Sequence, residues 1–118
     1  MESKEISWWT IPALEIMNDK QWCNRIIELC ADNVGIKDED ILKRTRKRNI
    51  CEARQVAAYV LRNTTGMSLE AIGKRLNIDH ATVYHSGKHV KDLMEYDKIF
   101  VANWQKILEM KRPEPTFE

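Results

Sequence analysis

The stretch "SLEAIGKRLNIDHATVYHSGKHV", residues 68 to 90, constrains the fold of this chain more than any other. Ser68 is a good helix cap, and Leu69, Ile72 and Leu76 recur at the spacing that gives a helix one apolar face. The three residues "NID" interrupt that pattern, and a longer helix starts at Asp79. At about 100° per residue, Val83, Gly87, Val90 and Met94 share one side of it, while Ala81, His85 and Lys88 project the other way. Gly73 and Gly87 are small enough to let the two helices close on each other. A short helix, a tight connection and a longer helix with a polar leading tip are the layout of a helix-turn-helix. The second helix of such a unit lies in a DNA major groove with its first residues against base edges.

The remainder of the chain also has the helical period. No window shows the alternation of a strand, and proline occurs only at Pro12, Pro113 and Pro115. Asp19 is expected to cap a first helix carrying Trp22, Ile26, Leu29 and Cys30 on one face. "KDEDILK" predicts a further short turn, its acids at the end that the helix dipole favours. A third helix is expected from about Cys51 to Thr65, burying Ala53, Val56, Ala57, Val60 and Leu61 and stopped by Gly66. A last one should run from about residue 97 to 111 around Phe100, Trp104, Ile107 and Leu108. The expected class is an all-α compact domain of about five to six helices. At 118 residues it holds one modest core.

Composition excludes several classes of protein. No apolar run approaches the roughly 20 residues of a membrane span. The opening "MESKEISWWTI" lacks a signal-peptide pattern, so the expected compartment is the cytoplasm. Cys23, Cys30 and Cys51 are odd in number and contain no C-x-x-C pair, which favours free buried thiols over a disulfide scaffold or zinc site. The net charge of +1 conceals a segregation: −5 over residues 1–42, +8 over 43–91 and −2 over 92–118. A concentrated basic stripe is what phosphates respond to. It is equally what a solvated charged face looks like, and charge alone leaves both open.

Other chemistries fit less well. His85 and His89 are four residues apart and could share a metal with His80, yet His80 and His85 are about 140° apart around the helix and no Cys or Glu completes the set. No nucleophile with a placed base is evident, so catalysis is not expected. Gly73-Lys74 and Gly87-Lys88 look like P-loop tails, but Ser68 and Thr82 stand where the first glycine belongs, and Arg75 and His89 follow the lysines. Trp8 and Trp9 are core candidates or, lying ahead of the basic region, a contact for a protein partner.

The ordered succession of a basic loop, "ARQVAAYVLR", "SLEAIGKRL" and "DHATVYH" resembles the C-terminal DNA-binding domain of the bacterial replication initiator DnaA, whose signature is Asp-His-Thr/Ser-Thr-Val-x-His. With "RIIELCADNVGIKDEDIL" the resemblance covers about residues 24–95, leaving 1–23 as an N-terminal extension and 96–118 as a C-terminal helix and tail. It implies sequence-selective binding to double-stranded DNA, with no cofactor. Arg46, with Arg48 beside it, matches a loop arginine that enters the minor groove. Arg54 and Gln55 match residues that hold the phosphate backbone. Arg62, two turns after Gln55 on the same helical face, should reach the same strand. Lys74 and Arg75 add local positive charge. Asp79, His80 and Thr82 match major-groove readers, Ala81 lies between them, and His85 matches a phosphate contact.

Departures from the family pattern stand out too. Ala81 replaces a hydroxyl residue, Ile78 stands where arginine is common, the connection is one residue shorter, and Glu52-Ala53 replaces Arg-Pro. The initiator's ATPase module has no counterpart among these residues. The resemblance therefore implies a stand-alone binding domain, not an enzyme, that regulates replication or transcription. The alternative reading is a protein-interaction module that has lost DNA binding.

Overall fold

The computed structural model describes residues 18–112. Trp8 and Trp9 lie outside them. Among the described residues there are six helices and no strand: α1 (Asp19–Val34), α2 (Asp38–Ile41), α3 (Arg48–Thr64), α4 (Leu69–Leu76), α5 (His80–Tyr96) and α6 (Lys98–Leu108). None is long and apolar enough to cross a membrane.

α3 is the central beam, and α1 and α5 pack along it. Ala53, Val56, Ala57, Val60 and Leu61 are buried as the periodicity predicts, and Ile50 and Ala58 join them. Small residues at 53, 57 and 58 let neighbouring helices approach the beam closely. From α1 come Trp22, Cys23, Ile26, Ile27, Cys30 and Ala31. Leu29, expected on that face, is only half-buried. The Trp22 indole N–H donates to Thr64 Oγ1 at 2.7 Å, so its one polar atom is satisfied inside the core. Cys23, Cys30 and Cys51 are free thiols, and burial pushes the Cys30 thiol up to about 12, which keeps it protonated and unreactive.

Several helix ends differ from the sequence expectation, each for a local reason. Asn18, not Asp19, caps α1: its side chain accepts from Gln21 N at 2.8 Å while Gln21 Oε1 accepts from Asn18 N at 3.1 Å. Asp19 is left in the first turn, where its carboxylate meets Arg112. α3 starts three residues before Cys51, at Arg48. It ends at Thr65 with no glycine cap. Thr65 is extended, and both its N–H and its hydroxyl donate to Leu61 O, doing what an αL residue at Gly66 was expected to do. Ser68 caps α4 by accepting from Ala71 N at 3.0 Å. On α5, Met94 proves exposed, and Ser86 and the half-buried Leu93 take the inward positions instead. The buried stripe thus drifts round the helix rather than following one line.

α6 completes the same core. Phe100, Trp104 and Ile107 face inward, and the Trp104 indole donates to Glu52 Oε2 on α3 at 2.6 Å. Glu52 stands where the family pattern has arginine, and its carboxylate serves as the acceptor that buries Trp104.

Candidate nucleic-acid interface

The turn between α4 and α5 is built by three residues. Asn77 takes the left-handed conformation (φ 61°) that ends α4 and sends the chain back. Ile78 N donates to Gly73 O at 2.9 Å. A Cβ on Gly73 would stand 2.4 Å from Ile78 O, so the turn folds onto the bare face of Gly73. Gly73 therefore admits the turn's backbone, and Gly87 meets Arg62 of α3. Neither serves the α4–α5 approach expected of the pair, because the turn and α3 fill those positions first.

The basic loop is tied to this turn at its root. Arg54 Nε donates to Ile41 O at 2.7 Å and its Nη2 to Lys43 O at 2.5 Å, while Asn77 Nδ2 donates to Leu42 O at 2.9 Å. Three consecutive carbonyls are thus held by one side chain from α3 and one from the turn. Lys47 N donates to Thr45 Oγ1 at 3.3 Å, tightening the loop before α3 begins. The loop consequently stands over the leading end of α5. Lys43, Arg44, Arg46, Arg54, Asp79 and Thr82 line one cleft of about 380 Å³ there.

At the tip, Asp79 Oδ1 accepts from Thr82 N at 2.7 Å. That bond, with help from the Thr82 side chain and the neighbouring His80, holds the exposed Asp79 carboxyl below the ordinary value of 3.8. An ionised carboxylate has lone pairs to spare after capping, and these can accept a base amino group. His80, Ala81, Thr82 and His85 are all exposed beside it.

The flanks of α5 differ from each other. Gln55 shares a cleft of about 590 Å³ with Arg48, His89, Leu93 and residues of α6. Arg62 shares another, about 440 Å³, with Tyr84, Gly87, Lys88 and Lys91. His89 and Lys91 leave α5 about 200° apart, so these clefts lie on opposite flanks. Gln55 and Arg62 therefore line different clefts, one on each flank of α5. They share a face of α3, but the buried stripe of α5 sits across that face between them. Arg75 is likewise turned from the tip, donating to Asn24 Oδ1 on α1. Among the described residues no three His, Cys, Asp or Glu side chains converge as a metal site.

Residues 23–90 match the family profile of the bacterial DnaA protein helix-turn-helix. The chain belongs to that family. It is similar to the chromosomal replication initiator protein DnaA of Bacteroides thetaiotaomicron, 40% identical over 83 residues, which cover 70% of this chain and 18% of that protein. The DnaA of Bacteroides fragilis is 39% identical over 83 residues, 70% of this chain and 17% of that one. For Campylobacter concisus the figures are 36% over 76 residues, 64% and 17%. The chain thus spans less than a fifth of the length of these relatives, and the shared part is the DnaA helix-turn-helix DNA-binding segment.

Within the DnaA-type unit, the structure brings Arg46 and Arg54 together with Asp79 and Thr82, and sets Arg48 and Gln55 on one flank of α5 and Arg62 on the other. Sequence reading missed Asn77, whose signal was available as an Asn directly after a helix. It also missed Tyr84, which no pattern marks.

Proposed function

We propose that this chain binds double-stranded DNA sequence-selectively, in the cytoplasm, as a DnaA-type regulator of replication or transcription that occupies initiator-like sites. The supporting observation is the cleft in which Arg46 faces Asp79 and Thr82. A loop cation a short distance from a reading tip lets one module address a minor groove and the adjacent major groove at once. Asp79, His80, Ala81 and Thr82 then read base edges, with Asp79 suited to a cytosine amino group and Ala81 and the Thr82 methyl to thymine. Arg48, Arg54, Gln55, Arg62 and His85 hold phosphates, which position the protein without carrying sequence information. The departure at Ala81 removes a polar contact from the family pattern, so the preferred site should differ from the family's at that base pair.

Selection from random duplexes, followed by titration of a selected and a scrambled site across a salt series, tests this. A selected motif flanked by an A·T-rich stretch is expected, with affinity falling steeply as salt rises. His80→Ala or Thr82→Ala should cost about 1–3 kcal/mol at one or two base pairs and leave non-specific binding nearly intact. No salt-dependent affinity for duplex DNA would return the chain to the protein-interaction reading.

A further inference from the structure

We propose that Arg62, Lys88 and Lys91 form a second phosphate site, gripping the DNA strand on the flank of α5 opposite Gln55, and that Tyr84 and Gly87 position Arg62 for it. This rests on the DNA-binding reading above. A helix with its side chains is about 10–12 Å across, and the major groove is about 12 Å wide. A sugar-phosphate strand therefore passes along each flank of a helix lying in it. On this flank the strand meets a cleft lined by three cations and one acid, Asp92. None of the three cations is in an ion pair with a described residue.

Arg62 does not reach this cleft on a free stem. Its guanidinium carbon lies 5.8 Å from the centroid of the Tyr84 ring. Three residues along the same face of α5, a Cβ at position 87 would stand 3.1 Å from Arg62 Nη1 and 3.6 Å from its Cδ. The side chain is thus laid along one face of α5, beside an aromatic ring and over the bare backbone of a glycine. The ring attracts the cation, and the missing Cβ leaves room for it to lie flat against α5. Ordering a long exposed arginine opposes binding, and a slot that orders it beforehand removes that cost. Tyr84 is half-exposed, at 47%, so its ring is held by no core and is available for this purpose.

The test is a double-mutant cycle on duplex binding by the full chain, read over a salt series. Arg62→Ala should weaken binding to selected and scrambled duplexes alike, about tenfold, and lower the salt slope by about 0.9. Tyr84→Leu should weaken both about 2–5-fold, the worth of an exposed cation–π contact, and Gly87→Ala should act in the same direction. In the Arg62→Ala background Tyr84→Leu should cost nothing further, and Tyr84→Phe should behave as wild type. The Arg62 Nε–H resonance should lose its ring-current shift in Tyr84→Leu without DNA present. If Tyr84→Leu costs as much with Arg62 gone, or Tyr84→Phe is as weak as Tyr84→Leu, Tyr84 touches DNA itself and the positioning role is overturned. If wild type binds well and Arg62→Ala changes nothing, the second phosphate site falls while the DNA-binding reading stands. If wild type shows no salt-dependent binding, both fall together.

Discussion

Arg54→Ala should untie the basic loop as well as remove a cation. The side chain donates to Ile41 O at 2.7 Å and Lys43 O at 2.5 Å, from a half-buried position. Hydrogen bonds from charged donors contribute about 1.5–3 kcal/mol each. Here water can reach part of the vacated carbonyls, so the pair together should cost about 2–3 kcal/mol rather than the full sum. For a domain of this size that is roughly 10–20 °C in melting temperature. Affinity should fall for all duplexes and by more than one phosphate contact explains, because the loop that carries Arg46 loses its tether beside Asp79 and Thr82. Arg54→Lys separates the two effects: it keeps the charge but not the fork, so it should lose most of the stability while retaining most of the salt slope. Urea unfolding beside duplex titrations for wild type and both variants supplies the numbers. An Arg54→Ala protein with an unchanged unfolding midpoint would refute the tethering, whatever happened to its affinity.

Four further outcomes are expected. Gly73→Ala should destabilise the domain and abolish sequence preference, since the new methyl would stand 2.4 Å from a backbone oxygen that cannot rotate away; thermal melting and a site selection check it. Asp79 is held below the ordinary value of 3.8 in the folded chain, so the folded state binds fewer protons than the unfolded one as acid is added. Its ionised cap should stabilise fully above about pH 4 and be lost as pH falls through the folded value, and Asp79→Asn, which keeps the acceptor, should flatten that part of a stability–pH curve. Trp104→Ala should cost about 3–5 kcal/mol by removing a buried ring and leaving Glu52 unpaired, whereas a chelator should leave the melting curve of the wild type unmoved; chelator-sensitive melting would revive a metal role for His80, His85 and His89.

Short-range physics can be read directly from the order of residues. The helical period placed the buried residues of α3, and the polar caps Ser68 and Asp79 marked the starts of α4 and α5. Misplaced ends came from near-equivalent local partners. Asn18 and Asp19 can both cap, and only the reciprocal bond from Gln21 selects the first. The membership of the helix-turn-helix family was also readable, because a motif keeps its order along the chain whatever its packing. The tip that faces outward, Asp79 to Thr82, followed from the apolar stripe behind it.

Which distant groups meet depends on how the helices pack. Arg54 reaches carbonyls 13 and 11 residues away, Asn77 one that is 35 away, and Trp104 a carboxylate 52 away. Nothing in residue type or spacing names such partners, since they depend on the path of the loop and on the angle at which helices cross. The same holds for Gln55 and Arg62. Helical periodicity puts them on one face of α3, and the crossing of α5 over that face sends them to opposite flanks. Periodicity describes a helix in isolation, whereas a binding surface is made where helices exclude one another.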